Sequence, residues 1–190
     1  MEVGLFFGSF NPFHIGHKVI ASYIQEATNI KQIWFVVSPQ NPFKSKSTLL
    51  DQHHRLMIIR IEIEDNINLK VSDIEFSLPT PNYTIDTLTH LKEKHPNHEF
   101  SLIMGSDNLN SLKKWKNYQQ ILDNHFIYIY PRLGINVNLV HKNIKIVEDV
   151  PKMEISSSLI RKLIKNKKDA SYLVPEKAWK YIVEMNFYRQ

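Results

Sequence analysis

Two histidines near the start of the chain stand three residues apart, in the stretch Gly-Ser-Phe-Asn-Pro-Phe-His-Ile-Gly-His from Gly8 to His17. This stretch follows an apolar run of strand length, residues 3–7, and precedes residues 15–28, whose apolar side chains recur at helical spacing. It therefore predicts a strand, a tight turn and a helix start. In such a turn the backbone N–H groups can face an anion, and two imidazoles at i and i+3 can each donate to phosphate oxygens. A phosphate is the ligand that suits this arrangement best.

The same residues are compatible with less specific interpretations. A Gly-Ser turn before a helix is common and often only a turn, and an H-x-x-H pair also occurs as half of a metal site or as two surface histidines. Zinc fits less well than phosphate, because a zinc site needs three or four ligands and the chain has no cysteine. We therefore predict no metal site built from protein side chains.

The composition is that of an ordinary globular chain. The 190 residues are 43% hydrophobic and 23% charged, and this length fits a single domain over 1–190. No apolar run reaches the roughly 18 residues of a membrane span, and no targeting segment precedes the first strand, so we expect a cytoplasmic protein without a membrane partner. The net charge of +5 would suit nucleic acid, but the basic residues are not clustered with aromatic ones. We expect phosphorylated small molecules, and not nucleic acid, as partners.

Predicted strands alternate with predicted helices along the chain. After the first strand and helix, strands are predicted at 32–37, 69–76, 98–104, 125–130 and 144–147. Helices are predicted at 49–66, from near residue 83, at 109–124, from near 155, and from 175 to about 186. This alternation is typical of an α/β protein, and we predict a single Rossmann-like, doubly wound, mainly parallel sheet flanked by helices.

Ligands bind such sheets at the carboxyl ends of the strands, where the strand order reverses. Several polar turns follow predicted strands and should therefore line one crevice. These turns lie at 8–14, 38–46, 79–84 and 105–108.

Later segments of the chain contain further motifs that indicate a particular protein family. They are Asn-Tyr-Thr-Ile-Asp-Thr from Asn82, Gly-Ser-Asp-Asn from Gly105, Lys-Trp from Lys114, Ile-Ser-Ser-Ser-Leu-Ile-Arg from Ile155 and Phe-Tyr-Arg from Phe187. With the first stretch they span nearly the whole chain, and together they resemble the bacterial nicotinate-nucleotide adenylyltransferases of the nucleotidyltransferase superfamily. One departure is Phe7, which occupies the first position of a Gly-Gly pair found in many relatives.

The resemblance implies a reaction and a set of site residues. ATP and nicotinate mononucleotide would form nicotinate adenine dinucleotide and pyrophosphate. The catalytic residues would be His14, His17, Lys44 and Arg161. The ATP site would add Gly8, Ser9, Phe10, Gly105, Asp107 at the ribose and Ser156, and the mononucleotide site would consist of Asn41, Lys44, Tyr83, Thr84 and Trp115. Mg²⁺ would arrive mainly on the ATP phosphates, since the sequence has no acidic cluster of the kind that cages magnesium.

The chemistry of the substrates supports this choice of residues. The mononucleotide carries a phosphate oxygen that can attack the α-phosphorus of ATP, so no enzyme nucleophile is needed. The protein must align two polyanions and stabilise the charge on the departing pyrophosphate, and donors therefore matter more than bases. The donor-capable candidates are His14, His17, Lys44, Ser156 and Arg161.

Selectivity for the acid over the amide is predicted from the segment 78–85, which contains no Asp or Glu. This segment leads into a helix whose first N–H groups carry partial positive charge. A pyridine carboxylate with its ring over Trp115 would find donors there and no nearby acceptor. Asp86 is the residue to check, because its side chain could cap the same amides.

Several assignments have a structural alternative, and the function has others. Lys44 fits a solvated loop, Arg161 a basic helix face, Asp107 a helix cap, Thr84 a plain helix position and Trp115 a core position. Arg55 either binds phosphate or pairs with Asp51 at i, i+4. Alternative functions are adenylyl transfer to nicotinamide mononucleotide or phosphopantetheine, and a nucleotide-binding regulator without catalysis. The sequence leaves open whether the protein is a monomer or a homo-oligomer.

Overall fold

One parallel sheet organises the computed structural model, which describes residues 1–39, 49–132, 134–135 and 139–189. Its strands are β1 (Glu2–Gly8), β2 (Gln32–Val37), β3 (Leu69–Ser72), β4 (Glu99–Gly105), β5 (Ile127–Tyr130) and β6 (Ile144–Ile146). They lie in the order β3-β2-β1-β4-β5-β6, and every neighbouring pair is parallel. The predicted Rossmann-like α/β sheet is confirmed.

Helices cover both faces of this sheet. They are α1 (Ile15–Ala27), α2 (Gln52–Ile63), α3 (Thr84–Lys94), α4 (Ser106–Leu109), α5 (Tyr118–Asn124), α6 (Ser157–Lys165) and α7 (Glu176–Glu184). Helices α1, α2, α6 and α7 contribute buried side chains to a first core on one face, whereas α3 and α5 contribute to a second core on the other. None of the described helices combines the length and the apolar character needed to cross a membrane.

The central strands are buried on both faces. In β2, Ile33 and Phe35 belong to the first core, whereas Trp34 and Val36 belong to the second. Successive side chains of a strand point to opposite faces, so a strand covered on both sides has no polar positions. This is the reason that residues 33–37 form an unbroken apolar run.

Three predicted elements differ from the structure. The strand predicted at 69–76 ends at Ser72, and Ile74–Ser77 forms a 3₁₀ turn instead. The helix predicted at 109–124 is wrong, since α4 ends at Leu109 and Asn117, with a left-handed φ of 52°, precedes α5. The helix predicted at 49–66 is shorter, because the Asp51 carboxylate accepts a hydrogen bond from His53 N and so caps the start of α2.

The strand order reverses between β1 and β4, which pair directly from Glu2 with Glu99 to Phe6 with Ile103. In a doubly wound sheet this is where the connections diverge to opposite faces and leave a crevice at the carboxyl strand ends. The turn after Gly8 and the turn after Gly105 are therefore neighbours in space. They form the two sides of the candidate site.

Candidate active site

The signature turn, defined here as residues 8–14, leaves β1 with little room for side chains. A Cβ atom at Gly8 would lie 2.8 Å from Cζ of Phe10, so this position requires glycine. The Phe10 ring is buried, with Phe6, Phe13 and Phe35 around it, and belongs to the first core. Phe10 remains a prediction for the ATP site, and its backbone is the part that could serve there, because its side chain is buried in the first core.

His17 is held in one orientation and one tautomer. The backbone N–H of His14 donates to Nδ1 of His17 at 3.2 Å. A neutral imidazole that accepts at Nδ1 carries its proton on Nε2. The rings of Phe6, Phe10 and Phe13 surround the imidazole at centroid distances of 6.0, 5.0 and 5.5 Å. His17 thus presents an Nε2–H donor whose direction is fixed by packing.

His14 stacks on His17 and is held neutral. The two ring centroids are 3.6 Å apart with 23° between the planes, and the His14 side chain is only 6% exposed. Burial, and secondarily the charge of Arg132, lower the pKa of His14 from 6.5 to about 4. Its Nδ1 has no hydrogen-bond partner among the described residues. A neutral ring can stack closely on its neighbour without charge repulsion, and it keeps an unused nitrogen.

The low pKa of His14 predicts that stability depends on pH. The unfolded chain binds this proton below about pH 6.5 and the folded chain only below about 4, so the contribution is complete above 6.5 and is lost as the pH falls through this window. The loss is at most about 3 kcal/mol. We expect His14→Gln to flatten the change in melting temperature between pH 7 and 4.5, whereas a substitution of the exposed His90 by Gln should not. If the melting temperature of His14→Gln fell as steeply between pH 7 and 4.5 as that of the unaltered protein, the low pKa of His14 would be contradicted.

The start of α6 is bonded to the signature turn. Oγ of Ser157 donates to the Pro12 carbonyl at 2.9 Å, and Nη1 of Arg161 donates to the Asn11 carbonyl at 2.6 Å. Ser156 caps the helix as predicted, with Oγ accepting from Leu159 N at 3.2 Å. The start of α6 therefore lies against the signature turn, although about 145 residues separate the bonded segments.

The C-terminal Phe-Tyr-Arg segment also reaches this turn. The Tyr188 hydroxyl donates to Oδ1 of Asn11 at 2.9 Å, and the same oxygen accepts from Leu50 N at 3.2 Å. Asn11 is buried and joins the signature turn to two distant parts of the chain.

Across the crevice, Asp107 pairs with an arginine that sequence reasoning missed. Nε of Arg132 lies 3.3 Å from Oδ1 of Asp107, and Ser106 Oγ accepts a hydrogen bond from Arg132 N at 2.9 Å. Asp107 lies in the first turn of α4, whose cap position is Gly105, so it is not the cap residue. Arg132 follows the end of β5, and the rule that turns after parallel strands line the crevice would have identified it.

The space around Gly105 predicts the effect of a single methyl group. A Cβ at this position would lie 2.9 Å from Nε of Arg132 and in closer contact with Oδ1 of Asp107, so Gly105→Ala should displace this ion pair. We expect the KM for ATP to rise about fivefold, equivalent to ~1 kcal/mol, and the KM for the mononucleotide to stay within twofold. Lys113→Ala, at an exposed position beyond α4, is the control. An unchanged KM for ATP in Gly105→Ala would show that the ion pair of Asp107 and Arg132 does not contribute to ATP binding.

Tyr83, Thr84 and Trp115, three of the expected mononucleotide residues, lie in or beside a second cluster. Tyr83 and Thr84 begin α3, and Lys116, next to Trp115, pairs with Asp86 at 2.9 Å and lies 4.8 Å from the centre of the Tyr83 ring. Trp115 itself is partly buried against the second core. Because Asp86 pairs with Lys116, its carboxylate does not cap the first amides of α3, and no side-chain cap is present there.

Glu75 is a carboxyl that the sequence pattern did not connect with this cluster. It is buried, its Oε1 accepts from the Thr87 hydroxyl at 2.9 Å, and its carbonyl accepts from Asn82 Nδ2 at 3.2 Å. Burial raises the pKa of Glu75, which favours its uncharged form. The first turn of α3 therefore has a carboxyl beneath it despite the neutral segment 78–85.

Two further expected residues lie outside the described ranges, and the expectation for Arg55 is corrected. Asn41 and Lys44 fall outside the described residues. Arg55 neither faces a phosphate nor pairs with Asp51 among the described contacts, because its side chain is wholly buried and donates to backbone carbonyls. In the described ranges no group of three His, Asp or Glu side chains is placed to hold a metal ion.

Comparison with known proteins agrees with this geometry. Residues 5–163 match the cytidylyltransferase-like family. The chain is 54% identical to a protein of Flavobacterium psychrophilum and 53% identical to one of Flavobacterium johnsoniae, with full coverage of both chains in each case, and both are named "Probable nicotinate-nucleotide adenylyltransferase". These findings confirm the resemblance drawn from the sequence motifs.

Solved structures share the fold. A Plasmodium falciparum nicotinic acid mononucleotide adenylyltransferase complexed with NaAD superimposes with a TM-score of 0.78 at 23% identity, over 98% of this chain and 97% of the other. The same enzyme complexed with APC gives a TM-score of 0.76 at 22% identity, over 98% and 96%. The family match and the two relatives with more than half of their sequence identical show that the chain belongs to the nicotinate-nucleotide adenylyltransferase family of cytidylyltransferase-like proteins.

Proposed function

We propose that this protein transfers the adenylyl group of ATP to nicotinate mononucleotide, forming nicotinate adenine dinucleotide and pyrophosphate. One observation carries the proposal: the donors of the signature turn and of α6 converge where the strand order reverses. Family membership agrees with it. The elements involved extend from β1 to Tyr188, which agrees with a single domain over 1–190.

On the ATP side, the donors neutralise the phosphates. Nε2–H of His17 and the backbone of Gly8, Ser9 and Phe10 face the phosphate chain. Arg161 has five N–H donors, and among the described residues only Nη1 and Nη2 are engaged, by the Asn11 carbonyl and the Ser158 hydroxyl. Ser156 keeps its hydroxyl hydrogen for donation, since its oxygen is the acceptor in the helix cap. These groups act most strongly on the pyrophosphate as its charge develops.

The opposite side of the crevice takes the adenosine. Gly105 allows close approach of the backbone, and the Asp107 carboxylate accepts hydrogen bonds from ribose hydroxyls. Arg132 pairs with Asp107 and influences His14, so it brings positive charge between the adenosine and the phosphates. The neutral His14 donates one hydrogen bond to the same phosphates.

The reaction is a single displacement at phosphorus. A phosphate oxygen of the mononucleotide forms a bond to the α-phosphorus of ATP, and the bond from that phosphorus to the bridging oxygen breaks. The electron pair leaves with pyrophosphate, and no protein group is covalently modified. The ATP enters as its Mg²⁺ complex, in which the metal is held by phosphates and water and lowers their charge. Asn41 and Lys44 remain predictions for binding the mononucleotide phosphate, with Tyr83, Thr84 and Trp115 at its pyridine end.

Pyrophosphate release tests the function directly. The purified protein with ATP, Mg²⁺ and nicotinate mononucleotide should release pyrophosphate in step with dinucleotide formation. Phosphopantetheine in place of the mononucleotide should give no release. Release only with phosphopantetheine would assign a different acceptor. Tight ATP binding by calorimetry without release for any acceptor would assign a nucleotide-binding regulator instead.

A further inference from the structure

Arg55 lies beneath the signature turn and is not used by the reaction described above. It belongs to α2, and its side chain has no exposed surface. No carboxylate in the described part of the chain lies within ion-pair distance of it. A buried cation without a carboxylate partner calls for an explanation, because removing its charge from water is costly.

The guanidinium donates four hydrogen bonds, all to backbone carbonyls. Nη1 donates to the Ser9 carbonyl at 2.6 Å and to the Ser38 carbonyl at 2.9 Å. Nη2 donates to the Pro39 carbonyl at 3.0 Å, and Nε donates to the Leu50 carbonyl at 2.8 Å. The acceptors lie in the signature turn, after the end of β2, and before α2. One buried side chain therefore fixes the relative positions of two strand ends at the crevice.

Stability alone does not favour this arrangement. An apolar side chain of similar volume often stabilises a fold as well as a buried charged group does. What an apolar side chain cannot do is orient peptide groups. The planar fork of Arg55 sets the direction of the carbonyls that it binds.

The direction of the Ser9 carbonyl determines where the next N–H points. The peptide bond between Ser9 and Phe10 is trans, and a trans peptide is planar with its C=O and N–H on opposite sides. Because the Ser9 oxygen is directed inward to Arg55, the Phe10 N–H is directed outward. Within the described ranges this N–H has no acceptor. Phe10 also has a φ of 45°, a left-handed conformation that is unfavourable for its bulky side chain, so the turn depends on its surroundings.

We propose that Arg55 is a positioning residue for ATP, which holds the Ser9 carbonyl inward and thereby presents the Phe10 N–H to a phosphate. This rests on the proposed function in one respect, namely that the signature turn is the phosphate site. A donor that is already oriented needs no reorganisation when the phosphate arrives. Arg55 itself touches no substrate.

Substitution of Arg55 by lysine tests this role, because lysine keeps the charge but lacks the fork. We expect Arg55→Lys to raise the KM for ATP about fivefold, a change equivalent to ~1 kcal/mol, while the KM for the mononucleotide stays within twofold. Arg60→Lys is the matched control, since Arg60 is exposed on the same helix. If the folded variant keeps its KM for ATP, or if both KM values rise equally, Arg55 is only structural and the proposal fails.

A second measurement uses the unaltered protein and does not depend on how the variant folds. In the protein labelled with ¹⁵N-phenylalanine, the Phe10 amide signal, assigned with Phe10→Tyr, should move downfield when Mg²⁺ and a non-hydrolysable ATP analogue saturate the site. No shift at saturation would overturn the proposal. This result is independent of which acceptor is adenylylated, so it separates failure of the Arg55 proposal from failure of the proposed function.

Discussion

Replacing His17 by alanine is expected to lower kcat on the order of a hundredfold, as loss of one transition-state donor does. Nδ1 of His17 accepts from His14 N, which fixes the proton on Nε2, and three phenylalanine rings fix its direction. The donor is therefore aimed before ATP binds. We expect its strongest interaction to be with the leaving pyrophosphate, whose charge develops in the transition state.

The comparison needs variants that are folded, because the His17 ring also packs against the first core. Turnover should be measured at 25 °C with the folded state verified by circular dichroism. His14→Ala should lose activity similarly, whereas His90→Ala, on the exposed side of α3, should keep it. Near-normal turnover in a folded His17→Ala protein would remove His17 from the mechanism.

The second large effect concerns the choice of acceptor. We expect nicotinate mononucleotide to be used with a kcat/KM at least on the order of tenfold above that of nicotinamide mononucleotide, a difference of about 1.4 kcal/mol. The first amides of α3 have no side-chain cap, so they are available to a carboxylate. The carboxamide of nicotinamide has an NH₂ group, which is itself a donor and cannot accept from these backbone N–H groups. It also lacks the negative charge that would strengthen a hydrogen bond to them.

Two contacts in the structure favour the expected selectivity. Lys116 holds the Asp86 carboxylate at 2.9 Å, away from the amides at the start of α3. Glu75 lies beneath the same turn, but burial raises its pKa and favours the uncharged acid. The hydrogen bonds described for these two carboxyls go to Lys116 and to Thr87, and not to the first amides of α3.

Two variants sharpen the test of acceptor choice. Lys116→Met should release Asp86 and reduce the preference for the acid, whereas Lys113→Met, exposed two residues before Trp115, should leave it unchanged. Trp115→Ala should raise the KM for the mononucleotide and leave that for ATP nearly unchanged, since the ring is expected to stack on the pyridine. Comparable kcat/KM values for the two mononucleotides in the unaltered enzyme would defeat the charge argument, even with adenylyl transfer established.

The sequence by itself determined the features that depend on neighbouring residues. The spacing of His14 and His17, the serine cap of α6 and the strand-turn-helix pattern at Gly8 all follow from short-range geometry. The alternation of strands and helices was equally readable, because buried parallel strands require unbroken apolar runs. These local patterns were sufficient for the fold class and for the family.

Only the tertiary structure decided which distant side chains meet. Arg161 reaches the Asn11 carbonyl across 150 residues, Arg132 finds Asp107 from the adjacent strand end, and Glu75 lies under Thr87. No spacing along the chain encodes such contacts, since they arise from the strand order and from which face each helix covers. The tertiary structure also explains why the prediction for Arg55 was wrong. From the sequence, an arginine on α2 at i, i+4 from Asp51 is expected to form a surface ion pair. Packing of α2 against the ends of β1 and β2 instead buries its guanidinium among backbone carbonyls that accept its hydrogen bonds.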